Sequence, residues 1–100
     1  MDNLQWLSCW YQVFCDRERE HLYGIDIETI DNPGWSIKIA LNDTTLSHKC
    51  FAPIEREWET GHWLTCYVHN DCFIGFCGLQ DLNELLSIFR KWADQERAVC

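Results

Sequence analysis

The sequence predicts an α+β fold: an N-terminal helix, a five-stranded antiparallel meander sheet and a C-terminal helix, with both helices packed on one sheet face. Two observations support this prediction. Apolar residues recur at helical spacing near both ends of the chain, and the segments between them alternate apolar with polar residues and are separated by turn-forming residues. A chain of 100 residues is the size of one domain, so we expect residues 1–100 to form a single domain.

The predicted helices cover residues 4–15 and a segment from 79 or 81 to 95. In each, apolar residues three and four positions apart fall on one face. Asn3 can cap the first helix, and Asp81 with Glu84 fits a capping box at the start of the second. The apolar stripe of the first helix consists of Leu4, Leu7, Trp10 or Tyr11, and Phe14, widened by Trp6 and Val13. The stripe of the second helix consists of Leu82, Leu85, Leu86, Phe89, Trp92 and Ala93.

The five predicted strands cover residues 22–30, 35–41, 51–58, 62–69 and 72–76. Alternation is clearest in the first two, where every second side chain is apolar, as a half-buried strand requires. Pro33 and Gly34 lie between these strands. Because proline fixes φ and glycine permits positive φ, this segment is a turn. The first two strands therefore form a hairpin whose apolar face meets the helices and whose charged face points outward.

Composition restricts the partners that this protein can bind. Sixteen acidic and eight basic residues give a formal net charge of −8, which argues against a nucleic-acid partner and permits a basic protein partner. No apolar run approaches the roughly 20 residues of a membrane span, and the N-terminal residues lack the basic stretch of a secretory signal. We therefore expect a cytoplasmic protein with no membrane partner, in which the seven cysteines are reduced.

A metal site and an enzyme active site are the alternatives to a binding protein. His69, Cys72 and Cys77 are ligand types that zinc accepts, and Cys66 is nearby in sequence. However, no Cys-x2-Cys pair is present, and these residues alternate across strand faces. Nucleophile-elbow, phosphate-loop and zinc-protease motifs are also absent. A small metal-dependent or cysteine-dependent enzyme remains the alternative, and the preferred interpretation has no catalytic residue, metal or cofactor.

A protein-binding surface is predicted on the sheet face that points away from the helices. The alternative is an ordinary solvated face that binds no partner, with Trp63 in the core. Carboxylates around aromatic side chains suit a partner rich in Lys and Arg, because the aromatics anchor the complex and the charges steer association. Lys38 lies between the acidic groups. The candidate contact residues are Asp26, Glu28, Glu55, Glu57, Trp63 and Tyr67.

The chain resembles the immunity protein 53 family along most of its length. The most specific motif is Asp31-Asn32-Pro33-Gly34-Trp35, which follows Tyr23-Gly24-Ile25 and Ile27-Glu28-Thr29. The other matching motifs, in chain order, are Trp6-Leu7, Trp10-Tyr11, Cys15-Asp16, Glu20-His21, Asp43-Thr44 with Leu46, Gly75 with Cys77-Gly78, and Ile88-Phe89-Arg90 with Trp92.

This resemblance implies an immunity protein of a bacterial polymorphic toxin system, a class of proteins that function in competition between bacteria. Such a protein binds a cognate toxin domain one-to-one and blocks it without catalysis. Many of these toxins are nucleases with basic substrate clefts, so an acidic surface could occupy the cleft in place of phosphate. The resemblance implies a toxin partner but leaves the identity of the toxin and the oligomeric state open.

Overall fold

A computed structural model describes residues 2–15, 24–31, 33–41, 46, 49–58 and 61–95, of which 13–15 are described by their backbone only. These residues form the predicted elements in the predicted order, which confirms the α+β class. None of the helices in these ranges is long and apolar enough to cross a membrane. The elements are α1 (Asn3–Cys15), β1 (Ile25–Ile30), β2 (Gly34–Ala40), β3 (Ile54–Glu57), β4 (Trp63–His69), β5 (Cys72–Cys77) and α2 (Leu82–Asp94). Residues 22 and 23, predicted to start the first strand, lie outside the described ranges.

All strand pairs are antiparallel, but the sheet is not the predicted meander. Its spatial order is β1-β2-β5-β4-β3, so β5 lies between β2 and β4. The physical reason lies in the side chains. The sequence of β5, CFIGFC, carries no charge, so this strand suits the centre of the sheet, with a neighbouring strand along each edge. Strands β1 and β3 carry carboxylates, which suit the exposed edges of a sheet.

Two turns connect antiparallel strands, and each depends on particular residues. Asn70 and Asp71 both have positive φ, 51° and 59°, as a tight hairpin between β4 and β5 requires. Gly34 does not have positive φ, so the predicted reason for this glycine is wrong. A Cβ at Gly34 would instead meet the backbone carbonyl oxygen of Cys77, because β2 and β5 pass close to each other there. Glycine is therefore required by space.

The core lies between the helices and one face of the sheet. Phe73 of β5 and Phe89 of α2 are fully buried, with ring centroids 4.9 Å apart. Gly75 allows α2 to approach β5, because a Cβ there would lie 2.8 Å from a methyl group of Leu85. Leu7 places α1 in the same core as α2, so both helices lie on one face, as predicted. The other main core residues are Ile37, Ile39, Leu41, Leu46, Leu64, Cys66, Cys77, Leu86 and Trp92.

Helix α1 is capped by Asp2 rather than by the predicted Asn3. The Asp2 carboxylate accepts a hydrogen bond from the backbone N–H of Gln5 at 2.7 Å. The backbone carbonyl of Asp2 accepts one from the backbone N–H of Trp6 at 2.9 Å. Asn3 Nδ2 instead donates to the carbonyl and the side-chain oxygen of Asn83, at 3.1 and 3.0 Å. Asn3 therefore links α1 to the first turn of α2.

The expectation of seven reduced cysteines is wrong, because one cysteine of the described residues forms a disulfide, which always joins two cysteines. Cys9, Cys66, Cys72 and Cys77 are free thiols, whereas Cys50 is disulfide-bonded. Cys50 precedes β3, and its carbonyl accepts a hydrogen bond from the Trp92 indole at 2.8 Å. A disulfide partner is set by spatial proximity and not by local residue pattern, so the sequence alone could not identify this bond.

Candidate functional site

The sheet face opposite the helices is the candidate functional site, and we call it the open face. Successive side chains of a strand point to opposite sides, so the paired strands define which residues share this face. Neither helix covers it, because the helices pack on the side of Ile37, Phe73 and Leu64. By strand register the open face carries Asp26, Glu28, Ser36, Lys38, Glu55, Glu57, Trp63, Thr65, Tyr67, His69, Cys72, Ile74 and Phe76.

All six predicted contact residues fall on the open face, but they are distributed differently from the prediction. The predicted meander placed the two acidic pairs around β2. In the structure the pairs lie on opposite edges of the sheet, Asp26 and Glu28 on β1, and Glu55 and Glu57 on β3. Four interstrand spacings separate these edges, which corresponds to about 19 Å.

The middle of the open face is apolar. Phe76 of β5 lies between Ser36 and Thr65 of the neighbouring strands, and Ile74 lies between Lys38 and Tyr67. Ile74, Phe76 and Tyr67 are half-buried, and none of them belongs to the core cluster. The open face therefore presents an apolar middle (Ile74, Phe76 and Tyr67) between two acidic edges.

The prediction from sequence missed Ile74 and Phe76. Strand β5 is apolar on both faces, so its alternation does not indicate which face is covered by helices. The glycine at position 75 is the one available signal, since a missing side chain in a strand often marks a close approach by another element. That close approach places Phe73, Gly75 and Cys77 beneath α2 and leaves Ile74 and Phe76 on the open face.

The carboxylates of the open face are accessible to a partner. Asp26, Glu28, Glu55 and Glu57 are exposed. Among the described residues, no cation lies within ion-pair distance of any of these four carboxylates. Lys38, which faces Asp26 across the β1–β2 pair, also forms no such ion pair. Their negative charge is therefore available to steer a positively charged partner.

A partly buried polar contact joins the β3–β4 connection to the start of α2. Asp81 accepts a hydrogen bond from the backbone N–H of Trp63 at 3.1 Å, and its other carboxylate oxygen lies 2.8 Å from His62 Nδ1. The predicted capping box is therefore wrong, because the Asp81 side chain makes no capping bond to α2. An aspartate directly before a helix, such as Asp81, predicts a cap. Nothing in the local sequence predicts that its side chain instead contacts His62, 19 residues earlier in the chain.

The structure brings together only two residues of the metal and enzyme alternatives, His69 and Cys72. His69 and Cys72 are cross-strand neighbours on the open face, whereas Cys66 and Cys77 point into the core. No three potential metal ligands among His, Cys, Asp and Glu meet within the described residues. Burial raises the pKa of the Cys66 thiol to about 11. Burial, with a smaller contribution from the Asp81 carboxylate, raises the pKa of Cys77 to about 11. Both thiols are therefore protonated at neutral pH and are poor nucleophiles.

These two pKa values predict a loss of stability at alkaline pH. In the unfolded chain the thiols ionise near the ordinary cysteine pKa of 9.0, while in the folded protein they keep their protons up to about 11. Their contribution is complete below pH 9 and is lost as pH rises towards 11. Each thiol lowers the free energy of unfolding by about 1.4 kcal/mol per pH unit in that window.

Urea denaturation at pH 8, 9.5 and 10.5 measures this loss. The variant Cys66→Ala/Cys77→Ala should be less sensitive to pH than the parent protein over that window, whatever its stability at pH 8. An unchanged pH dependence would contradict the assignment of the effect to these thiols.

Comparison with known proteins gives one result. Neither the curated proteins nor the solved structures include a match. The family model described as immunity protein 53 matches residues 4–94. That range extends from the first turn of α1 through the whole sheet to the last residue of α2. The chain therefore belongs to the immunity protein 53 family.

Proposed function

We propose that this protein neutralises a cognate toxin domain of a bacterial polymorphic toxin system by one-to-one binding through the open face, without catalysis. Membership of an immunity protein family supports a toxin as the partner. The cytoplasm is the compartment that we propose for this binding, although a disulfide such as that of Cys50 is uncommon there. Residues 1–100 are the single domain that we propose for it.

The observation that carries the proposal is the arrangement of the open face. An apolar middle flanked by charges is the usual anatomy of a protein–protein contact, in which central aromatic side chains contribute most of the affinity and the charged rim contributes steering. Here Phe76 and Tyr67 supply the centre, and the four edge carboxylates supply the rim. The helices on the opposite side make the sheet a fixed platform, so little conformational entropy is lost on binding.

The partner class that fits these charges is a basic protein. The formal net charge of −8 and the two acidic edges favour a toxin with positive patches on either side of an apolar contact. A nuclease toxin is the class that we propose, because a cleft that binds phosphates is lined by Lys and Arg. The carboxylates would then occupy positions that the phosphates of the substrate otherwise take.

Growth rescue and affinity together test this function. The toxin domain encoded beside the gene is expressed with and without the protein, and purified components are titrated at low and high salt. We expect growth to be restored and a stable one-to-one complex to form. Glu28→Lys and Glu55→Lys should each weaken binding several-fold at low salt, and less at high salt, because rim charges act mainly on the association rate.

Asp94→Lys is the matched control. It makes the same change in net charge on the exposed side of α2, away from the open face, and should leave the affinity close to that of the parent protein. Unchanged toxicity without a complex would contradict the proposed function. Equal effects of all three substitutions would contradict the assignment of the contact to the open face.

A further inference from the structure

A second surface feature, on the helical side of the sheet, is a recess beside Trp58, which we call the Trp58 recess. It has a volume of about 490 Å³ and is open to solvent rather than enclosed, so it suits one side chain of a partner better than an enclosed small molecule. Trp58 follows the edge strand β3 and is 40% exposed, which is unusual for the largest apolar side chain. The recess is lined by Trp58, His62, Gln80, Asp81, Asn83 and Glu84.

The polar groups of the recess are unequal in what they can still bind. Asp81 is buried and its two oxygens are used by His62 and the backbone of Trp63. The side-chain oxygen of Asn83 accepts from Asn3. The carboxylate of Glu84 is exposed and, among the described residues, forms neither a hydrogen bond nor an ion pair. Glu84 is therefore the available charge of the recess.

The Trp58 ring is available as well. Among the described residues it makes no ring–ring contact and holds no cation, in contrast to Trp6 and Trp92, which are near Arg90 and Lys49 respectively. Trp58 and Glu84 line the same recess, and an indole and a carboxylate that are both available match one chemical group closely. A planar guanidinium stacks on an indole and at the same time donates two parallel hydrogen bonds to a carboxylate.

We propose that the Trp58 recess binds an arginine side chain of a protein partner, with the guanidinium between the Trp58 indole and the Glu84 carboxylate. Arginine fits better than lysine, because an ammonium neither stacks on the ring nor bonds a carboxylate bidentately. The N-terminus of α2 carries a partial positive charge of about one half, which opposes a cation. The full negative charge of Glu84 in the first turn outweighs it.

The recess is continuous with the edge of the open face. Glu57 is the last residue of the edge strand β3, and Trp58 directly follows it. Glu57 lies on the open face by register, whereas Trp58 lines the recess on the helical side. One protein that covers the β3 edge can contact both. Naming the toxin as the owner of this arginine rests on the proposed function, whereas the preference of the recess for a guanidinium does not.

Nuclear magnetic resonance with a small probe tests the recess without the toxin. The protein has six tryptophans, so its indole N–H signals can be assigned by substitution, the Trp58 signal with Trp58→Leu. N-acetyl-arginine amide should shift the Trp58 signal in a saturable way, with a dissociation constant on the order of 10 mM. N-acetyl-citrulline amide, which has the same shape without the charge, should produce no saturable shift, and the lysine analogue a weaker one.

The conservative variant Glu84→Gln separates the role of charge from shape. It should abolish saturation by the arginine probe and weaken the toxin complex about tenfold, because a charge-assisted bidentate contact is lost. Asp94→Asn, which removes one carboxylate charge at the exposed C-terminal end of α2 and lies outside the recess, should do neither.

The two proposals can fail separately. A saturable arginine shift in a protein that binds no toxin would overturn the proposed function and leave the recess assignment in place. Equal shifts with arginine and citrulline probes, or a Glu84→Gln protein that saturates like the parent, would overturn the recess assignment even if the toxin complex is tight.

Discussion

Removing the apolar middle of the open face is expected to abolish tight toxin binding while the protein remains folded. Phe76→Ala alone should weaken the complex by about 2 kcal/mol, roughly thirtyfold, as is typical of a central aromatic anchor. Adding Ile74→Ala should weaken it further. Both side chains are half-buried but lie outside the core cluster, so the loss is in binding rather than in folding.

The measurement is a calorimetric titration of each variant with the purified toxin domain. Leu4→Ala is the control. The sequence wrongly placed Leu4 on the buried stripe of α1, whereas it is 58% exposed and lies away from the open face. It should bind like the parent protein. If Phe76→Ala binds with unchanged affinity, the apolar middle is not part of the contact.

Phe89→Ala is expected to have the largest effect on stability. Phe89 is fully buried at the meeting point of both helices and the sheet, with ring centroids 5.3 Å from Trp10, 4.9 Å from Phe73 and 6.0 Å from Trp92. Truncation removes these contacts and leaves a cavity. The expected cost is about 3–5 kcal/mol, a large part of the roughly 5–15 kcal/mol that stabilises a domain of this size.

Urea denaturation and thermal melting measure this cost, with Phe76→Ala as the matched control. Both variants delete the same side chain, one from the core and one from the open face. Phe89→Ala should lower the melting temperature by about 15 °C or more, and Phe76→Ala by only a few degrees. Similar losses in both variants would contradict the assignment of the two phenylalanines to opposite sides of the sheet.

The order of elements and the two faces of most strands could be predicted from the sequence. In β1 apolar residues alternate with carboxylates, and around β3 Ile54, Arg56 and Trp58 alternate with glutamates, so Asp26, Glu28, Glu55 and Glu57 were assigned to the open face correctly. The α2 stripe fixed Leu85, Phe89 and Trp92 as core residues in the same way. These predictions succeeded because each depends on residues within one element.

The features that could not be predicted depend on residues far apart in the chain. The strand order follows from the pairing of β5 with both β2 and β4. Because β5 is apolar on both faces, its residue pattern does not indicate which strands lie beside it. The Asp81 side chain contacts His62 instead of capping α2. The space around Gly34 is limited by the backbone of Cys77 in β5. As a consequence the sequence predicted the acidic residues of the candidate site and the aromatics Trp63 and Tyr67. It predicted neither the separation of the acidic pairs nor the place of Ile74 and Phe76 between them.

Hydroxyl-radical footprinting of the protein, free and in complex with the toxin domain, tests the central claim that the open face is the contact surface. We expect the oxidation of Phe76, Tyr67 and Trp63 to fall several-fold in the complex, because these side chains would lose their access to solvent. Trp6 and Trp10, which pack beside Phe89 on the helical side, should be oxidised equally in both states. Protection of Trp6 and Trp10 in a stable complex, with the open-face aromatics unchanged, would contradict the claim.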